Sequence, residues 1–135
     1  MDCVFCKIRD GQIPSIKLFE DERAFAIMDI NPLNEGHALV IAKAHAPTVF
    51  EVADEDLMAA VRAAKRLGLA IRRSLNPDGL NVLQANGAAA NQSVPHFHFH
   101  VIPHWSNDGK GLAWSQVKGD PDRIRATADQ IRKAL

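Results

Sequence analysis

The 135-residue sequence has no excess charge of either sign, because sixteen lysines and arginines balance sixteen aspartates and glutamates. A surface built for nucleic acid or for an anionic membrane carries a broad basic footprint, and this composition argues against one. No apolar run approaches the roughly 20 residues that a membrane-spanning helix needs. The opening residues, Met1 to Lys7, show no charged stretch leading into an apolar one, so no secretory signal is expected. Cysteine is scarce: Cys3 and Cys6 are the only two, too close together to staple a fold, and a reducing cytoplasm is the expected setting. Internal repeats, low-complexity segments and linkers are also lacking. Residues 1–135 are therefore expected to form one domain, long enough to bury roughly two-thirds of its unfolded surface.

Apolar periodicity and turn residues outline the elements. Residues 16–19 and 24–28 read as strands around Glu20-Asp21-Glu22, and the turn Asn31-Pro32-Leu33-Asn34-Glu35-Gly36 leads into a third strand at 37–42. Asp54 is expected to cap a long helix whose apolar face uses Leu57, Val61, Ala64, Gly68, Ile71 and Leu75. Arg62, Lys65, Arg66, Arg72 and Arg73 read as its solvated face. Asn76-Pro77-Asp78-Gly79 ends that helix, a fourth strand covers 80–85, and a fifth follows Pro95. Asp120-Pro121 supplies a cap and first turn for a last helix using Ile124, Ala128, Ile131 and Leu135. The expected class is α+β: an antiparallel sheet of about five strands with one long central helix and a C-terminal helix.

The chemistry concentrates in His96-Phe97-His98-Phe99-His100-Val101-Ile102. Alternation along a strand puts the three imidazoles on one face, ~7 Å apart, and Phe97, Phe99 and Val101 on the other, which reads as core. Imidazole titrates near neutrality, so this face is suited to attack, proton exchange or metal binding. A catalytic metal site and nucleophilic catalysis both fit the residues alone. The preceding loop, Asn86-Gly87-Ala88-Ala89-Ala90-Asn91-Gln92-Ser93, has small residues that let a ligand approach the backbone, and its N–H groups suit an oxyanion. No strand precedes Cys3-x-x-Cys6, which argues against a redox motif. Zinc there needs two more ligands, for which His45 and one strand histidine are available.

These stretches together resemble one family. Residues 96–102 are similar to the His-φ-His-φ-His-φ-φ signature of the histidine triad (HIT) nucleotide hydrolases and transferases. Cys3-Val4-Phe5-Cys6-Lys7-Ile8 resembles the opening of bacterial, zinc-containing members. Met28-Asp29-Ile30-Asn31-Pro32 with Gly36-His37-Ala38-Leu39-Val40-Ile41 resembles the family's second and third strands, and residues 87–94 its phosphate loop. The resemblance implies a HIT-like fold and cleavage of the α-phosphate bond of a purine nucleotide derivative, of the nucleoside phosphoramidate type. A covalent nucleotidyl-histidine intermediate and release of a nucleoside monophosphate follow from it. Dinucleotide polyphosphate hydrolysis and a non-catalytic nucleotide-binding adaptor are the alternatives.

By the same resemblance His98 is the nucleophile, with His100 and His37 beside the phosphate. Gln92 and Ser93 are donors, Asn86 a further substrate-binding residue, and Asp29 holds the ribose. Val4, Phe5, Ile8, Ile27 and Ile30 form the slot for the base. Cys3, Cys6, His45 and His96 correspond to the ligands of a structural zinc, and a second copy of the chain completes a homodimer. Two positions depart from the pattern. Ala85 stands where an amide side chain is common, and His104, read as a solvated histidine, stands where many relatives carry arginine.

Overall fold

The computed structural model describes residues 2–111 and 117–135. The elements run α1 (Val4–Arg9), β1 (Lys17–Glu20), β2 (Ala24–Met28), β3 (Ala38–Ala42), α2 (Asp54–Leu75), β4 (Gly79–Leu83), β5 (His98–His104) and α3 (Pro121–Lys133), with a 3₁₀ turn at Ala88–Ala90. The five strands form one antiparallel sheet in the order β1-β2-β3-β5-β4. The α+β class and the five-stranded sheet match the sequence expectation.

Strands β2 and β3, both interior to the sheet, are buried at every position. Such a strand needs a cover on both faces, and the fold supplies two. Ala24, Ala26, Met28, Ala38, Val40 and Ala42 join the core under α2 and α3. Phe25, Ile27, Leu39 and Ile41 face the other way, where Cys3 and Phe5 of the N-terminal segment cover them. The sequence reading began the fifth strand at His96, whereas β5 begins at His98, and the alternation already holds from Phe97 onward. Phe97 and Val101 lie in the first core, and His98 and His100 share the side of Leu39 and Ile41.

Three details differ from the expectation. Ala53 precedes α2 as its cap and makes no side-chain bond there, so Asp54 opens the first turn, where its charge suits the helix dipole. The buried stripe of α2 runs through Ala60, Ala63, Ala64, Leu67 and Ile71, whereas Val61 is half exposed. Small side chains let the helix lie close to the sheet, which displaces the apolar stripe from the larger residues that periodicity picks out. Leu135 lies beyond α3 and is exposed. The expected cap at Asp120 is present, its carboxylate accepting from the Asp122 N–H, with Pro121 in the first turn.

Gly36 controls how the β2–β3 turn meets β5. Its φ is +88°, and a Cβ there would lie 2.5 Å from Leu75 Cδ1 and 3.1 Å from Pro103 Cγ. Both the left-handed backbone and the close approach require glycine. The turn it closes delivers His37, which is fully buried.

Candidate active site and metal cluster

Two groups of side chains are assembled on the face of the sheet covered by α1. The first is built from β5, the start of β3 and the end of β2. His98 Nδ1 lies 2.7 Å from the His96 carbonyl oxygen, which can only accept, so Nδ1 carries the ring proton. The Nε2 of a neutral His98 therefore holds its lone pair. His37 is read the same way. The Leu33 N–H donates to its Nδ1 at 2.9 Å, so the proton sits on Nε2, which lies 2.9 Å from His100 Nδ1. His100 then accepts at Nδ1 and carries its own proton on Nε2. One ring thus offers a lone pair and its neighbour an N–H, with ring centroids 5.0 Å apart.

Burial keeps these rings neutral. It pushes His98 below the ordinary imidazole value, His100 down to about 4 and His37 down to about 3, the neighbouring imidazoles adding to the effect on the last two. Asp29 Oδ2 lies 3.3 Å from His37 Nε2, while its Oδ1 accepts from the Asn31 N–H. Burial raises the Asp29 carboxyl above its usual range.

A consequence for stability follows. The unfolded chain protonates His37 and His100 near pH 6.5, while the native protein leaves both neutral until about pH 4 and below. Above pH 6.5 neither state gains a proton; below it only the unfolded state does. Stability therefore falls as pH drops from 6.5, each such histidine contributing up to about 1.4 kcal/mol per unit. Urea denaturation at pH 7.5, 6 and 5 should show the midpoint falling. A flat profile contradicts this reading, and a slope that disappears after chelation assigns it to the cysteine–histidine cluster instead.

A cavity of about 260 Å³ opens beside these rings, walled by Val4, Phe5, Ile8, Ile27, Ile30 and Leu39, with Asp29, Ser93, His98 and His100 also on its lining. The expected base-slot residues are all there. Phe5 meets His98 edge-on, centroids 5.0 Å apart. The sequence reading missed α1, which brings Val4, Phe5 and Ile8 to the cavity; six residues are too few for a periodic signal. It also missed Ile13, Pro14, Leu39 and Val94 on the lining.

Other expected residues lie elsewhere. Gln92 is off the cavity, its side chain accepting from the Gly87 N–H and donating to the Pro47 carbonyl, so the amide braces its own loop. Asn86 Oδ1 accepts from the Val49 N–H and from Gln84. It borders a second concavity of about 330 Å³, on which Leu83, Gln84, Ala85, Ala90, Asn91 and His100 also lie. His37 stands behind His100 and does not reach the surface. His104 is not a solvated histidine. Its side chain is 19% exposed and its Nδ1 lies 3.1 Å from Asp108 Oδ2.

The second group is Cys3, Cys6, His45 and His96, whose donor atoms all lie within 4.8 Å of one another. Cys3 Sγ is 3.3 Å from His96 Nδ1, Cys6 Sγ 3.5 Å from His45 Nδ1, and the two Nδ1 atoms are 3.1 Å apart. Tetrahedral zinc with bonds of about 2.0 Å to nitrogen and 2.3 Å to sulfur holds its donors at separations of this kind. His96 Nε2 lies 2.6 Å from the Ala42 carbonyl, which fixes its proton there and turns the Nδ1 lone pair toward the cluster. The donor set fits a closed divalent site.

Comparison with known proteins agrees with this architecture. The HIT domain family matches residues 10–107. The chain is 41% identical over 137 residues to the protein named hit of Bacillus subtilis, covering 99% of this chain and 94% of that one. It is 39% identical over 136 residues to an adenosine 5′-monophosphoramidase of Schizosaccharomyces pombe, covering 100% and 99% of the two. A crystal structure of a zinc-bound histidine triad family protein from Mycobacterium smegmatis is similar, with a TM-score of 0.89 and 36% identity over 99% of this chain and 93% of that one.

Proposed function

Because the chain belongs to the histidine triad (HIT) family, we propose that it is a nucleotide hydrolase that splits nucleoside phosphoramidates at the α-phosphorus through a nucleotidyl-His98 intermediate. The observation that carries this reading is the complementary pair of tautomers on the cavity wall: a lone pair on His98 Nε2 and a proton on His100 Nε2.

In the first step the His98 Nε2–phosphorus bond forms as the bond from phosphorus to the leaving nitrogen breaks, and the amine departs with a proton taken from solvent while the His100 Nε2–H hydrogen-bonds the departing group. The His98 ring, its centroid 5.0 Å from that of His100, carries the positive charge of the intermediate. Water then attacks phosphorus, the His98–phosphorus bond breaks, and the water's proton passes to solvent. Nucleoside monophosphate is released and both rings are restored. His37, held by Leu33 and Asp29, keeps His100 in the donating tautomer. Ser93 serves the phosphate, Asp29 the ribose, and Val4, Phe5, Ile8, Ile27 and Ile30 the base. Low-dielectric walls strengthen every such contact.

The leaving group is assigned to the concavity on the far side of His100. Gln84, Asn86 and Asn91 give it polarity, and none of its lining side chains among the described residues is charged. Ala85 and His104 add no fixed cation. A polyphosphate leaving group calls for cationic donors, whereas an amine asks mainly for a proton. Adenosine phosphoramidate should therefore be cleaved with the higher kcat/KM when compared with diadenosine tetraphosphate under identical conditions. A preference for the tetraphosphate overturns the assignment.

Zinc is proposed at Cys3, Cys6, His45 and His96, where it would contribute folding energy and no open coordination position. Thiolates held this way suit a cytoplasmic setting, and residues 1–135 are taken as one domain. We also assign a homodimer to the face where β4, an edge strand, exposes Leu80 and Val82 beside Val61 and Leu69 of α2. An unpaired edge strand flanked by apolar side chains is the feature a second copy covers. Sedimentation at micromolar concentration should give twice the 14.8 kDa chain mass. A monomer, or a dimer that Val82→Glu leaves intact, removes the assignment.

A further inference from the structure

Beyond the residues that line the cavity, one carboxylate ties its own turn to a separate segment of the chain. Asp108 Oδ2 accepts from Asn34 Nδ2 at 2.9 Å, the Trp105 N–H at 3.0 Å and His104 Nδ1 at 3.1 Å. Its Oδ1 accepts from the Lys110 N–H at 2.9 Å. The turn that carries it has Asn107 and Gly109 at positive φ, +64° and +69°, which folds the carboxylate back onto the end of β5. With four donors around it, Asp108 stays ionised, held down to about 2 chiefly by the Lys110 N–H bond. His104 Nε2 is the one buried side-chain polar atom among the described residues with no partner. A buried unpaired nitrogen weakens the fold. The fold tolerates this while keeping Nδ1 on Asp108.

The link to the chemistry runs through Asn34. Both hydrogens of its amide nitrogen are used, one on Asp108 and one on the Pro103 carbonyl at 3.0 Å. Asn34 lies between Leu33, whose N–H donates to His37 Nδ1, and the turn that ends when its own carbonyl accepts from the His37 N–H at 3.1 Å. The Leu33 N–H is the contact that puts the His37 proton on Nε2, and so fixes which nitrogen of His100 carries the ring proton. Any rotation of the 31–36 segment misaligns that N–H.

We propose that Asp108 is a positioning residue: by clamping Asn34 it holds the Leu33 N–H on His37 and thereby sets the tautomers of the His37–His100 pair. The catalytic part of this inference rests on the hydrolase reading above. The clamp itself does not.

The test pairs Asp108→Ala with ring-nitrogen NMR of His37 and steady-state kinetics on adenosine phosphoramidate. Wild-type protein should show His37 Nδ1 as an unprotonated acceptor and Nε2 as protonated. Asp108→Ala should mix the two tautomers and lower kcat by about tenfold or more with KM within about twofold, as expected when a group is misaligned without loss of binding. Asp108→Asn, which keeps an acceptor oxygen and the shape, should restore most of both. Asn34→Ser cuts the same link with Asp108 in place and should reproduce the spectral change, which covers the case of an alanine variant that fails to fold. An unchanged His37 spectrum in folded Asp108→Ala or Asn34→Ser overturns the proposal, as does a mixed tautomer with undiminished kcat. A wild-type protein with no phosphoramidate turnover defeats the hydrolase reading, while the nitrogen spectra still decide the clamp.

Discussion

Replacing His98 with asparagine should abolish turnover while nucleotide affinity persists. The ring is buried against Phe5 and bordered by Leu39 and Ile41, so its replacement must be small and polar at one end. An asparagine side chain meets that demand and has no nitrogen lone pair capable of attack. The loss should be on the order of a thousandfold or more in kcat, as for other covalent nucleophiles, with the dissociation constant for nucleoside monophosphate little altered. His100→Ala should slow the reaction without stopping it, because an amine can still take a proton from water. Mass spectrometry of acid-sensitive intermediates, trapped by quenching wild-type enzyme at alkaline pH, should locate the nucleotidyl group on His98. A nucleotidyl group on any other residue, or an active asparagine variant, would falsify the covalent role.

Removing the metal proposed at Cys3, Cys6, His45 and His96 should have the second large effect, and on a different quantity. Cys3 caps α1, its Sγ accepting from the Cys6 N–H, and the same sulfur faces His96 at the start of the β5 segment. Loss of the ion leaves two thiols and two imidazoles crowded together and unties the N-terminal segment from the sheet. Chelation or Cys3→Ser should lower the melting temperature by on the order of 10 °C, the equivalent of a few kcal/mol for a chain of this size. At saturating substrate kcat should fall much less, since none of the four ligands reaches the proposed phosphate position. KM should rise, because Val4, Phe5 and Ile8 wall the cavity and ride on the same segment. Metal analysis should find one ion per chain. A chelated protein with an unchanged melting curve defeats the site.

Much of the site was legible because strand geometry is a local property. A side-chain period of two places His98 and His100 on one face and Phe97 and Val101 in the opposite core whatever the rest of the chain does, and the structure keeps that alternation. The cap at Asp120 and the break at Asn76-Pro77 are equally local: a carboxylate one residue before a proline-led turn, and a left-handed asparagine after the last turn of α2. That Val4 and Ile27 share one cavity wall was reached only through resemblance, since they have nothing in common along the chain.

Legible along the chain were therefore the periodic and the capped: five strands and two of the three α-helices among the described residues, a row of imidazoles and a pair of nearby thiols. Tertiary structure decided the division of labour within that row. His96 meets Cys3 and Cys6 and His98 meets a cavity because α1 lands across the strand start, and no spacing within residues 96–102 encodes where a separate six-residue helix will dock. It also decided the burial of His104, which follows from a tail that turns back to place Asp108 beside it. The same holds for Gln92, drawn to Pro47 forty-five residues away, and for Val61, left exposed because alanines bring α2 closer to the sheet. Hydrogen-bond partners and close packing are set by which surfaces meet in three dimensions. A periodic pattern reports only which face a residue is on.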